Sequence, residues 1–155
     1  MNPLLLDKPF EKWELGNVPT YRMEQLRHWI FEQGCTEWEE MTNLPKSFKQ
    51  ELSTHWDLCP MEILRAQGST DTTRKFLWKL RDGQLIESVL IPATTGTKGV
   101  RSSRLTLCVS TQVGCAIGCK FCASGLDGLK RNLTTGEIVG QVLLARNQAN
   151  RRIDN

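Results

Sequence analysis

Near residue 60 the spacing of apolar side chains changes period, so neither an all-helical nor an all-strand fold suits the whole chain. Before that point Met23, Leu26 and Ile30 recur at the interval that lines one face of a helix. After it Phe76, Trp78 and Leu80 alternate with Lys75, Leu77 and Lys79, the pattern of a strand with one buried face. The spacing predicts three short helices in residues 1–60. The first is Phe10 to Leu15, stopped by Gly16. The second runs from Tyr21 to Gln33, with Thr20 as N-cap and Gly34 as its end. The third begins near Pro45, a residue tolerated in a first helical turn, and continues through Phe48 and Leu52 toward Trp56. The aromatic residues here are assigned to a core rather than to a binding platform.

Strands are predicted at Glu62 to Ala66, Lys75 to Leu80 and Gln84 to Ile91, with Asp82-Gly83 as the tight turn of a hairpin. Pro92 to Arg104, including Thr94-Thr95-Gly96-Thr97-Lys98-Gly99, reads as a connector. Arg104 to Ser110 is a strand leading into a cysteine-rich loop. Thr134-Thr135-Gly136-Glu137 is a capping box opening a helix with a stripe of Ile138, Val139, Val142, Leu143 and Ala145. The expected fold class is α/β, or α+β taken overall. It divides into a small helical domain at 1–60, a β-hairpin linker at 61–103, and at 104–155 one βα unit of a barrel or open parallel sheet. One such unit leaves a barrel incomplete.

With 39% hydrophobic and 24% charged residues among 155, the composition is that of a soluble globular protein. Leu4-Leu5-Leu6 is too short for a signal peptide, and no stretch approaches the roughly 20 apolar residues of a membrane span, so a cytoplasmic protein is expected. A net charge of +3 does not by itself announce nucleic acid. Its distribution is more informative: Lys98, Arg101 and Arg104 precede the cysteine region, and Lys120, Lys130 and Arg131 lie inside or just after it. A solvated basic loop and a phosphate-contacting surface both fit this pattern.

Three of the six cysteines, Cys115, Cys119 and Cys122, fall within eight residues, while Cys35 and Cys59 stand alone. That is not a disulfide framework; clustered thiols of this kind are metal or cluster ligands. A thiolate triad can hold three corners of an iron-sulfur cube and leave one iron open to a small molecule, whereas a simple electron carrier needs a fourth ligand. No cysteine follows Cys122, and Cys108, seven residues upstream on a strand, fits that role poorly. Zinc is disfavoured because His28 and His55 are remote from the triplet. Read from residue type alone, Cys108 is a small residue on a buried strand and Glu87 a charged residue on the wetter face of the hairpin.

Cys108-Val109-Ser110-Thr111-Gln112-Val113-Gly114-Cys115, Cys119-Lys120-Phe121-Cys122-Ala123-Ser124-Gly125 and Arg131-Asn132-Leu133-Thr134-Thr135-Gly136-Glu137-Ile138 together resemble the RlmN/Cfr family of radical S-adenosylmethionine (SAM) RNA methyltransferases. Upstream, Tyr21-Arg22, Gln25, Trp29-Ile30-Phe31 and Glu40-Met41-Thr42-Asn43-Leu44-Pro45 are similar to the family's helical accessory domain. The likeness is greater to the RlmN branch, whose members methylate C2 of adenosine in large-subunit rRNA and in tRNA, than to the C8-methylating branch. It implies that Cys115, Cys119 and Cys122 are ligands of a 4Fe-4S cluster whose open iron chelates SAM, and that Phe121 lies beside the cofactor's adenine. It also implies that Cys108 helps to release the methylated base from a covalent protein adduct and that Glu87 accepts a proton. The implied partners are rRNA, tRNA and an electron donor such as flavodoxin or ferredoxin, with no membrane and a monomeric state. The family's methyl-carrying cysteine and the later cofactor contacts have no counterpart in these residues. The 155-residue chain is therefore expected to be inactive alone, the alternative being an RNA-binding or iron-sulfur-carrying remnant without turnover.

Overall fold

The computed structural model describes residues 2–13, 15–16, 18–68, 73–93, 104–149 and 152–155. The first helix, α1 (Thr20–Arg27), is entered from Pro19, whose carbonyl accepts from the Arg22 N–H at 2.9 Å. Thr20 is therefore the first helical residue and not the cap expected of it, because a proline fits the cap position, where its missing N–H is not needed. The helix continues as a π-helical turn, His28–Gln33, and ends as predicted at Gly34, which takes the left-handed conformation at φ +73. α2 (Lys46–His55) starts after Pro45. The helix predicted at Phe10 to Leu15 contracts to a 3-10 turn, Phe10–Lys12, since Pro9 and Gly16 leave too few residues to offset the cost of nucleating an α-helix. Leu5, Leu26, Ile30, Met41, Trp38 and Leu52 fill the core of this layer.

Four strands follow in a single antiparallel meander: β1 (Met61–Gln67), β2 (Arg74–Leu80), β3 (Leu85–Pro92) and β4 (Leu105–Cys108), ordered β1-β2-β3-β4. The β2–β3 hairpin turns at Gly83, φ +82, and closes with Leu80 N–H donating to the Gln84 carbonyl at 2.8 Å. Phe76, Trp78 and Leu80 are buried as the alternation predicts, and the Trp78 indole N–H is satisfied by Ser88 Oγ at 2.5 Å.

The strand expected to begin a parallel unit takes a different place: β4 pairs antiparallel with β3, Leu107 opposite Leu90, and extends the meander. Among the described residues parallel pairing is confined to one isolated bridge between Leu4 and Asp57. The free edge of β4 is covered by the tail, with Leu107 N–H donating to the Asn155 carbonyl at 2.8 Å and Leu105 N–H to the Asp154 carboxylate at 2.9 Å. The connector residues Thr94 to Gly99, with Lys98 and Arg101, lie outside the described residues.

α3 (Thr135–Ala149) begins with the predicted box: Glu137 N–H donates to Thr134 Oγ1 at 3.2 Å, and Thr134 N–H donates back to the Glu137 carboxylate at 2.9 Å. Leu143 and Ala145 of the expected stripe are buried, whereas Val142 is exposed. Gly136, Gly140 and Gln141 are buried instead, because α3 is covered on two sides. None of the described helices is long and apolar enough to cross a membrane.

Candidate functional site: the cysteine loop and its frame

Two short strands that the sequence pattern did not suggest, β5 (Gln112–Gly114) and β6 (Leu129–Asn132), pair antiparallel and bracket the cysteine loop. The loop closes where Cys115 N–H donates to the Gly128 carbonyl at 3.1 Å. Gly114 is required there: its φ is +77, and a Cβ would lie 2.0 Å from that same carbonyl oxygen. Inside the loop Cys122 N–H donates to the Cys119 carbonyl at 3.0 Å and Gly125 N–H to the Cys122 carbonyl at 3.1 Å, so the backbone turns repeatedly around the thiols. Cys115, Cys119 and Cys122 are free and partly exposed. Their thiols are the right donors for iron, yet among the described residues no three Cys, His, Asp or Glu side chains are arranged to hold a metal. The fit to a cluster is thus one of donor type and loop path.

The loop hangs from a charged frame. Arg131, on β6, makes a paired contact with the Glu137 carboxylate, both bonds 2.8 Å, and reaches Asp82 in the β2–β3 turn at 2.7 Å. Glu137 is buried; desolvation opposes its charge, but the Arg131 guanidinium and the Thr134 N–H hold its carboxyl below the ordinary value. Asp82 is held low in the same way: desolvation opposes its charge, and Gln84 N–H and Arg131 together outweigh it. Gln141, fully buried, grips the backbone of one residue: its Oε1 accepts from Ser110 N–H and its Nε2 donates to the Ser110 carbonyl, each at 2.9 Å. Sequence reading missed Asp82, Arg131 and Gln141 as a frame. Asp82 had already served as a turn residue and Glu137 as a cap, and the only signal for Gln141 is a polar residue four after Glu137 on an apolar helix.

Glu87 and Cys108 are brought to one face of the meander. Cys108 stands opposite Val89, two residues from Glu87, and opposed residues of an antiparallel pair share a face. That face is the exposed one, so Cys108 is exposed and not on a buried strand position; Leu105 and Leu107 take the inward places on β4. Glu87 is half-exposed and salt-bridged to Lys75 at 2.8 Å. Between this face and the cysteine loop lies a cavity of about 510 Å³, walled by Leu77, Leu85 and Glu87 on one side and by Cys115, Ala123 and Ser124 on the other. Phe121 points outward, 93% exposed.

Residues 10–58 match the family described as "Ribosomal RNA large subunit methyltransferase N-terminal domain". A probable dual-specificity RNA methyltransferase RlmN of Akkermansia muciniphila is 52% identical over 87% of this chain and 38% of its own length. The dual-specificity RNA methyltransferase RlmN of Nitratiruptor is 41% identical over 97% of this chain and 45% of its own. The crystal structure of a radical SAM methyltransferase from Sphaerobacter thermophilus superposes with a TM-score of 0.82 at 39% identity, over 99% of this chain and 45% of that one. The chain belongs to the RlmN family of radical SAM RNA methyltransferases. It spans about two fifths of the length of the relatives it matches.

In this RlmN-family chain the basic residues around the loop separate into two kinds. Arg131 is engaged by Glu137 and Asp82, and Lys130 donates to Gln84 at 3.0 Å, so both serve the frame. Lys120 lies exposed on the loop itself.

Proposed function

We propose that this RlmN-family sequence is part of a methyltransferase acting on C2 of adenosine in large-subunit rRNA and tRNA. In this reading Cys115, Cys119 and Cys122 hold a 4Fe-4S cluster whose remaining iron takes SAM. The bound pair supplies the radical chemistry that an electron-poor adenine carbon demands. The chain's own residues do the rest: the exposed ring of Phe121 would lie beside the cofactor's adenine, Glu87 would accept a proton, and the Cys108 thiol would help to resolve the base from its protein adduct. The observation that carries the reading is a cavity lined by both Cys115 of the loop and Glu87 of β3, with Cys108 on the same strand face as Glu87.

By the same proposal residues 1–60 are an RNA-binding accessory domain, 61–103 its β linker, and 104–155 the start of the radical SAM core, whose first strand, β4, also pairs antiparallel with β3. The protein would be a cytoplasmic monomer reduced by flavodoxin or ferredoxin. The 155 residues alone carry out no methylation, because the methyl-carrying cysteine of the family lies outside them.

Anaerobic reconstitution with iron and sulfide tests this directly. About four irons per chain, and an electron paramagnetic spectrum that changes on adding SAM, are expected. Uptake of a single zinc with no colour would sink the cluster assignment. Salt-sensitive binding of structured RNA with no iron uptake would favour the second reading, an RNA-binding remnant.

A further inference from the structure

α3 belongs to two cores at once. Leu143, with Val139 beside it, packs among the helical residues, while Ala145, with Ile138 and Leu144, packs under the meander. Both of its ends are also hydrogen-bonded to the helical layer. At the start, Gly136 N–H donates to the Asp7 carboxylate at 2.8 Å, filling one of the unpaired amides of a helix N-terminus with the charge its dipole favours. At the far end, Arg146 Nη1 donates to the Phe31 carbonyl at 2.7 Å and Asn147 Nδ2 to the Gly34 carbonyl at 2.6 Å. These are carbonyls of the last π turn and its cap, which lack partners in their own helix.

At two of the contacts a side chain lies against bare glycine backbone, with no room for a Cβ. A Cβ on Gly34 would lie 2.4 Å from Asn147 Oδ1, and one on Gly140 would lie 2.2 Å from Pro60 Cγ. The same helix holds the frame of the cysteine loop, through Glu137 to Arg131 and through Gln141 to Ser110.

From this we infer that α3 is a ruler between the helical layer and the cysteine loop. Asp7, Arg146 and Asn147 are positioning residues that set the placement of one relative to the other without touching RNA or cofactor. Packed units within a chain ordinarily move against each other unless the interface is extensive, and bonds at both ends of α3 restrain that motion. Resting on the proposed function, the consequence is selection of RNAs that reach both units at once.

The test uses the 155-residue chain with spin labels carried on noncanonical residues at two exposed positions, Glu39 in the helical layer and Thr111 beside β5. Wild type should give one narrow distance distribution. The double variant R146M/N147A, and separately Asp7→Ala at an exposed position, should widen it about twofold while far-ultraviolet circular dichroism stays unchanged. Arg146→Lys, which keeps a donor for Phe31, should restore the narrow distribution. A wild-type width in both R146M/N147A and Asp7→Ala overturns the proposal. Binding of a tRNA probe is measured in parallel, and an affinity loss of about tenfold in R146M/N147A is expected where one RNA engages both units. A wild-type chain that binds no tRNA removes the RNA reading of residues 1–60, and the distance distributions still decide the ruler.

Discussion

Between Cys115 and Gly128 the chain leaves Ile117 79%, Phe121 93% and Leu126 72% exposed, whereas the residues that flank this stretch are held firmly. Val113 and Leu133 are buried, Gln141 is sealed against Ser110, and the Arg131 guanidinium sits between two carboxylates. The chemistry-bearing thiols thus lie on a thinly packed loop and the ionic and apolar stabilisation lies beneath it. The division has a physical logic. On the proposed function, a loop that gathers around a cluster and admits a cofactor cannot be packed beforehand, but its two ends can be fixed so that the gathered state forms in one place.

The contrast is broken most severely by changing the thiols. Cys115→Ser, Cys119→Ser or Cys122→Ser is expected to drop iron content after reconstitution from about four per chain to near none, with the melting temperature of the unreconstituted chain unchanged. A variant that keeps its iron would remove the cysteine from the ligand set, and one that lowers the melting temperature would mean the loop supports the fold after all. Next in size is the frame. Glu137→Ala leaves Arg131 without its buried partner and removes the carboxylate half of the capping box of α3, costing roughly 2–3 kcal/mol in urea denaturation. This lies below the figure for a wholly buried pair, because the Arg131 side chain remains 32% exposed.

The same pair sharpens the comparison through pH. The carboxyls of Glu137 and Asp82 are held below their ordinary values in the folded chain, so across the acid range the unfolded chain binds more protons. Their stabilisation is complete above the ordinary carboxylate range and is lost as pH falls through the lowered folded values. Glu137→Gln should therefore flatten the acid limb of a stability profile followed by circular dichroism. An acid limb of wild-type steepness would place the titration elsewhere. The smallest effect on stability belongs to Phe121→Ala, within about 0.5 kcal/mol because the ring is exposed, while the SAM-induced change in the spectrum of the reconstituted chain should weaken. A full spectral response would take Phe121 out of the cofactor site.

Much of the architecture was legible because it rests on local signals. Gly34 ends its helix, Asp82-Gly83 turns its hairpin, Phe76, Trp78 and Leu80 face inward, and Thr134 and Glu137 cap α3, each decided by residues within a few positions of one another. The misreadings arose where a residue had two roles or a distant partner. Thr20 looked like a cap, but Pro19 before it occupied the position. Cys108 looked buried because strand runs of this length often are, yet its place opposite Val89 turns it outward. Arg131 looked like a free cation, and its carboxylates come from a turn 49 residues away and a helix cap.

The thiol triplet and its spacing, the change from helical to alternating period and the turn residues are properties of short stretches, and the order of residues alone determined them. Which strand lies beside which, that β4 pairs antiparallel with β3 at the end of the meander, and that α3 serves two cores were decided by the tertiary structure. The reason is that pairing and burial on two sides depend on surfaces contributed by segments far apart in the chain, and no window of sequence contains both halves of such a contact.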